Sequence, residues 1–245
     1  MWTWGYNGQG QCAHGHTYAV ASPMQVYTGG YTGLITTQSV SNPGTASGTA
    51  ITDTVNAWLA GGNYGSLYVT RGTNSTNNTL YASGYNGYYQ LGNNTTTDRS
   101  TLAVVTMLNG ANLTNVVDLA ANTGDSSYGN TAVLRSNNEW YFAGYHNAGA
   151  WANGCGDTWN DRQDRDPSGL SSNYRYKNNM LFPHAKKNTD LPWKYVPYGR
   201  TSYKYGMYID MNSGRVYTTG YGNDYNFYND WRGTYTTVPQ KLKGQ

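Results

Sequence analysis

Charge is scarce in this chain. Lys and Arg number 16 and Asp and Glu 13 in 245 residues, 12% in all, for a formal net charge of +3. The basic residues are dispersed apart from Lys186-Lys187 and the Lys241 to Lys243 end. Neutralising a phosphate backbone takes a concentrated basic face, so no nucleic-acid partner is expected. Long apolar runs are missing too, which argues against insertion in a membrane as a helix. Its first residues read directly as a strand-like segment, so no secretion signal is expected. Cysteine is limited to Cys12 and Cys155, far apart in sequence, and these are expected as free, buried thiols rather than as a disulfide framework. Helical apolar periodicity is absent throughout.

What is present in quantity is Gly (31), Tyr (25) and Trp (8), with many Asn and Thr. Such a composition predicts a core made from Tyr and Trp more than from Leu and Ile, because aromatic rings bury large areas and keep a polar tip wet. Solubility is then carried by Asn, Thr and Ser. The length suits one domain over residues 1–245 with enough apolar surface for a core.

One phrase returns four times, in the segments 2–12, 80–92, 140–151 and 216–225. It reads Trp2-Thr-Trp-Gly5-Tyr-Asn7, Leu80-Tyr-Ala-Ser-Gly84-Tyr-Asn86, Trp140-Tyr-Phe-Ala-Gly144-Tyr-His146 and Val216-Tyr-Thr-Thr-Gly220-Tyr-Gly222. In each copy an aromatic or β-branched strand runs into a Gly-Tyr pair that should turn it. The copies lie roughly 60 to 80 residues apart, a period that points to repeat architectures. The second copy continues through Gln90-Leu91-Gly92 to Asp98-Arg99, and the first through Gly8-Gln-Gly10-Gln11-Cys12.

These residues resemble the β-propeller repeat of the regulator of chromosome condensation family. That repeat is a strand ending in Trp-Gly, then Asn-x-x-Gly-Gln-Leu-Gly, a polar loop, and a short strand beginning near a Pro. Gln90-Leu91-Gly92 is the best match; Cys12 stands where Leu is expected and Tyr89 where the Gly before Gln is expected. The third and fourth copies keep less. The resemblance implies an all-β propeller of four-stranded antiparallel blades, and it leaves out the stretches 29–55 and 155–179.

Short runs rich in Val, Tyr and Thr complete the blades. Asn56 to Gly61 with Ser66 to Thr70, Val116 to Ala120 with Thr131 to Arg135, and Lys194 to Val196 with Gly206 to Asp210 read as first and second strands. Pro23 to Tyr27, Thr101 to Val105 and Val238 to Leu242 read as fourth strands, with turns at Arg71 to Asn78, Ser136 to Asn138 and Met211 to Gly214. About three and a half blades result, an open arc, because the first copy has only its third and fourth strands. Three explanations stand: a piece of a longer propeller, completion by another copy, or further strands in the stretch from Gly29 to Val55, where Thr28 to Ser41 could supply one or two. Residues 155–180 read as an irregular insertion.

The Tyr, Asn, Thr and Gly bias resembles that of extracellular β-proteins and of tailed-bacteriophage exterior proteins, where degenerate repeats of this family also occur. The expectation is a non-enzymatic structural or adhesion component of a virion exterior, of fibre, spike or decoration type, assembled in the host cytoplasm. Its partners would be other virion proteins, copies of itself or a host surface glycan. The alternative is a cellular interaction module like the family's founding members, which engage a small GTPase or chromatin. A second alternative is a polysaccharide-degrading spike.

Three clusters bear on chemistry. Cys12, His14 and His16 share one short loop and are zinc-ligating types, with His146 as a fourth donor, yet their spacing matches no zinc pattern and a solvated loop is the expected reading. Asp164, Asp166 and Ser168 before Gly169 imitate the start of a calcium loop, but Arg175 stands where the bidentate Glu belongs. Asp157, Asp161, Asp164 and Asp166 are the one set of carboxylates suited to glycoside hydrolysis, and they sit in the insertion rather than on rigid strand ends. No nucleophile elbow, phosphate loop or His-Glu-x-x-His motif appears. No enzyme, cofactor or metal is therefore expected. Ligand or partner contact is assigned instead to Trp151, Trp159, Tyr225 and Trp231, aromatic rings beside Asn and Asp on the loops after the third and fourth phrases.

Overall fold

The computed structural model describes residues 1–33, 44–60, 64–93, 95–107, 110–122, 129–137, 140–145, 175–181, 193–196, 205–210, 213–221 and 235–241. Those residues form strands and connections only. A half sheet comes first, β1 (Trp2–Gly5) with β2 (Val20–Gln25), followed by a small hairpin of β3 (Tyr31–Thr32) and β4 (Thr45–Ala46). Three four-stranded antiparallel sheets follow in chain order. The first is β5 (Thr54–Ala60), β6 (Ser66–Asn74), β7 (Asn77–Gly84) and β8 (Arg99–Val104). The second is β9 (Val116–Asn122), β10 (Asn130–Arg135), β11 (Trp140–Tyr145) and β12 (Arg175–Leu181). The third is β13 (Trp193–Val196), β14 (Tyr205–Asp210), β15 (Val216–Tyr221) and β16 (Tyr235–Lys241). This is the all-β blade architecture expected, three blades and a half.

The repeated phrase marks equivalent places. Gly5 and Gly84 end β1 and β7, and Gly144 is the last residue but one of β11, with φ of 105°, 109° and 102°, a conformation that L side chains avoid. In all three full blades the partner strand shifts register just before this glycine, a bulge at Ala82/Gly84, Phe142/Gly144 and Thr218/Gly220. At Gly84 a Cβ would also lie 2.4 Å from the Gly65 carbonyl of β6's approach, so the turn requires the missing side chain twice over.

The stretch from Gly29 to Val55 does hold further strands, β3 and its partner β4, as one of the three explanations allowed. Other expectations are corrected. The insertion is not irregular to its end, because Arg175–Leu181 is the fourth strand of the second blade, paired with β11 at Tyr141↔Leu181 and Tyr145↔Arg175. Sequence spacing hid it because this blade places a far longer connection between its third and fourth strands than the first blade does between β7 and β8. The turn placed at Arg71 to Asn78 is also tighter than expected: β6 and β7 pair out to Asn74↔Asn77 around a two-residue loop.

The described core is aliphatic. Among its buried apolar side chains only Tyr68 and Tyr141 are aromatic; the rest are Ala, Val, Leu, Ile and Cys. This overturns the expectation of an aromatic core, and the reason is geometric. Middle strands of stacked blades are covered on both faces, as in β6, where five successive residues from Ser66 to Thr70 are buried. Small and β-branched residues such as Ala82, Ser83, Ala132 and Ala143 let those faces approach. Trp2, Trp4, Tyr6 and Tyr18 stay exposed at 53% to 60%.

Candidate interaction face

The first and second phrases each continue into a loop built around one buried asparagine. Asn86 Oδ1 accepts from the Leu91 amide at 3.0 Å, and its Nδ2 donates to the carbonyls of Thr95 at 2.6 Å and Thr97 at 3.2 Å. Asn7 repeats this at the same offsets: Oδ1 accepts from the Cys12 amide at 2.8 Å, and Nδ2 donates to the carbonyls of His16 at 2.8 Å and Tyr18 at 3.1 Å. Gln90 Oε1 accepts from the Tyr88 amide and Gln11 Oε1 from the Gln9 amide, at 2.8 and 2.9 Å. The glutamine therefore closes the turn that the asparagine holds at its base. Both asparagines are fully buried, so each bond replaces one to water and leaves no orphan of its own.

Two backbone positions in this loop lie at positive φ, and each copy spends one glycine on the pair. The first copy has Gly10 at 82° and Ala13 at 61°; the second has Tyr89 at 63° and Gly92 at 61°. Ala13 and Tyr89 thus stand where a left-handed residue is needed, and each loop keeps its shape under strain at one position. Gly10 tolerates no side chain in any case, since a Cβ there would lie 2.5 Å from the Ser100 Cα of β8.

The backbone also repeats at the joints between sheets. Leu80 N donates to Leu113 O, Leu113 N to Val105 O, and Val105 N to Leu80 O, each at 2.9 Å, closing a ring of three bonds. Met1 N, Ile51 and Val26 form the same ring, with Ile51 N to Val26 O at 2.8 Å and Val26 N to Met1 O at 3.0 Å. Asn78 then clamps the first blade to the second, exchanging side-chain bonds with both backbone groups of Val116 at 3.0 Å.

His14 is completely buried, which corrects the expectation of a solvated histidine loop. Thr3 Oγ1 donates to the Cys12 carbonyl at 2.6 Å, so it accepts at 2.9 Å from His14, whose proton therefore sits on Nε2. Nδ1 has no polar partner among the described residues. The Tyr31 ring from β3 packs edge-on at 5.5 Å and the His16 ring stacks at 5.9 Å. Burial pushes the His14 pKa from 6.5 down to about 4 against the pull of the Thr3 carbonyl, and His16 pushes it further down. The Cys12 thiol is free and buried, its Sγ against the Tyr6 carbonyl, and burial raises it to about 11, far from a metal-binding thiolate. No group of three His, Cys, Asp or Glu able to hold a metal occurs among the described residues. His146, Cys155, the carboxylates Asp157, Asp161, Asp164 and Asp166, and the contact residues Trp151, Trp159, Tyr225 and Trp231 lie outside the described residues.

The open surface feature is a cleft of about 460 Å³ between the half sheet and the first blade, lined by Trp2, Trp4, Tyr6, Leu59, Ala60 and Leu67 among others, none of them charged. Leu59 is 70% exposed there. Its signal in the sequence was the doublet Trp2 and Trp4, read as strand rather than as surface.

No protein-family model matches the chain, and no characterised protein matches it by sequence. Solved structures do match by fold. Human WBSCR16 aligns over 99% of this chain at a TM-score of 0.53 and 13% identity, and yeast RCC1 (Prp20), in its structure bound to Kap60, over 100% at 0.53 and 16%. The chain spans under half the length of each, 47% and 44%. The shared property is the propeller fold expected from the repeated phrase.

Proposed function

We propose that this chain is a non-enzymatic propeller module that binds polypeptide partners. One observation carries the reading: the asparagine and glutamine side chains at the base of the described loops are consumed in holding the loops, while a cluster of large aromatic side chains faces solvent. Asn7, Asn86, Gln11, Gln90 and His14 are buried. Trp2, Trp4, Tyr6 and Leu59 are more than half exposed and border one cleft. Exposed aromatic clusters of this kind anchor protein interfaces. The yeast propeller of like fold was solved with a protein, Kap60, bound to it, which supports the class of partner.

The setting we propose is the exterior of a tailed-phage virion, supported by the low charge and the Tyr, Asn and Thr bias of the sequence. Immunogold labelling of purified particles with an antibody to this chain tests it, and labelled particles are the expected result. Particles without label, with the chain recovered from cell lysate in complex with a cellular protein, would replace the virion setting by the cellular one. Release of reducing ends from a capsular polysaccharide by the purified chain would overturn the non-enzymatic reading.

A further inference from the structure

We propose that Asn74, at the tip of the β6–β7 hairpin, is an N-linked glycosylation site that takes a hexose from a nucleoside-diphosphate sugar. The inference goes beyond the reading of the chain as a binding module and does not depend on it.

Asn-x-Thr triplets begin at Asn74, Asn77, Asn93, Asn94 and Asn112, a number to be expected of a chain so rich in Asn and Thr. The triplet alone therefore selects none of them; a surface position does. Asn94 lies outside the described residues. Of the others, only Asn74-Ser75-Thr76 is exposed at all three residues. The middle residue is buried in two of them, Asn78 in the Asn77 triplet and Leu113 in the Asn112 triplet. Asn78 is clamped to both backbone groups of Val116, and Leu113 belongs to the ring of backbone bonds with Leu80 and Val105. A transferase could lift neither without breaking the joint between the first and second blades.

Asn74 and Asn93 remain, and they fold into the same turn. In each, Oδ1 accepts from the amide and the hydroxyl of the threonine two residues on, at 2.9 and 2.9 Å from Thr76 and at 3.2 and 2.9 Å from Thr95. Two donors on Oδ1 stabilise the charge that gathers there when Nδ2 loses a proton, which is what an amide nitrogen needs to act as a nucleophile. The two turns differ in what is left over. Asn93 Oδ1 also accepts from Asn86 Nδ2 at 2.9 Å, and Asn93 Nδ2 is shut off from solvent. Asn74 closes an exposed two-residue turn, and its Nδ2 has only a long contact to give up, 3.5 Å to Thr73 Oγ1. One turn is spent inside its loop; the other offers its nitrogen to solvent.

In the transfer, Asn74 Nδ2 attacks C1 of the hexose and the C1–O bond to the diphosphate breaks. The nucleoside diphosphate leaves with the electron pair, and the Nδ2 proton passes to a base of the transferase. A soluble donor of this class suits a chain made in a cytoplasm. The hairpin tip lies at the opposite end of β7 from Gly84 and the asparagine loop, so the sugar leaves that loop and the cleft beside Gly65 uncovered.

The test begins with the chain isolated from the particles or cells that make it. Trypsin releases residues 72–99 as one peptide, which carries both Asn74 and Asn93, and fragmentation in the mass spectrometer locates any sugar. One hexose on Asn74 and none on Asn93 is expected. An unmodified Asn74 overturns the proposal, and does so without touching the binding reading. Selection by the fold is then measured with UDP-glucose and a soluble transferase that acts on Asn-x-Thr. In the folded chain Asn74 should react at least about tenfold faster than Asn93, a ratio that prior digestion should collapse toward one. Thr76→Ala should abolish transfer and Thr76→Ser should keep part of it, both with circular dichroism unchanged. Equal rates in the folded chain, or transfer that survives Thr76→Ala, overturn the role given to this turn.

Discussion

Among the described residues two joints share one design, one complete and one open. Between the first and second blades, Tyr68 of β6 reaches across so that the Gln90 carbonyl accepts from the Tyr68 hydroxyl at 2.8 Å and from Thr131 Oγ1 at 3.0 Å. Around it Leu80, Leu91, Leu113, Leu119 and Val133 form one continuous cluster. Between the half sheet and the first blade the backbone ring and asparagine loop are the same, but the cluster shrinks to Ala13, Val26, Ile51, Leu67 and Val69. The difference teaches that backbone and loop form independently of the inner strands, while the apolar seal depends on them.

The largest effect should come from removing the tyrosine that only the complete joint has. Tyr68→Ala is expected to cost about 4 kcal/mol in denaturant melts, since it opens a cavity and strips the Gln90 carbonyl of a donor. Tyr68→Phe should cost about 1 kcal/mol, the hydroxyl alone. A loss below 1 kcal/mol for the alanine variant would mean that the joint is not sealed by this residue.

The loops are predicted to be equal at both joints. Asn86→Ala and Asn7→Ala should each cost about 3 kcal/mol, because each orphans a buried backbone amide and two carbonyls. A loss at Asn86 several times that at Asn7 would show that the open joint leaves its loop half formed.

His14 separates the joints by pH. Its folded pKa of about 4 lies below the unfolded 6.5, so the unfolded chain binds the proton first as pH falls. Its neutral form is fully favourable above 6.5, and stability is lost as pH falls from there toward 4. The loss should reach about 2 kcal/mol by pH 5 and should disappear in His14→Gln. Native-state exchange should show it in β1 and β3, which pack on this ring through Thr3 and Tyr31, before β7.

How much of this was legible beforehand follows from what each feature depends on. The third strands and the glycine turns were readable because a bulge at positive φ leaves glycine in the sequence, as at Gly5, Gly84 and Gly144. The strand Arg175–Leu181 was not, because its place is set by pairing with β11 across a long connection. The burial of His14 depends on Tyr31, seventeen residues away and in a stretch outside the repeat, so its local Cys-Ala-His-Gly-His spelling looked like a solvated loop. The exposure of Trp2 and Trp4 goes with β1 pairing with β2 alone among the described residues, and no residue within the phrase encodes that.

The smallest effect concerns the shared glycine. Both loops need two left-handed residues, and Ala13 and Tyr89 occupy one each. A non-glycine residue there is disfavoured by about 1 kcal/mol, partly offset by the greater freedom glycine has when unfolded. Relief of that strain by Tyr89→Gly should therefore raise stability by about 0.5 kcal/mol, and Ala13→Gly should raise it by less. Tyr89 is partly exposed, so its ring contributes little to offset the gain, whereas Ala13 is fully buried and its methyl packs with Val26, Ile51 and Val69. The gain should accordingly be larger at Tyr89 than at Ala13. An equal loss at both would show that the left-handed conformation is not the source of strain, and the two loops would then owe their common shape to the asparagine alone.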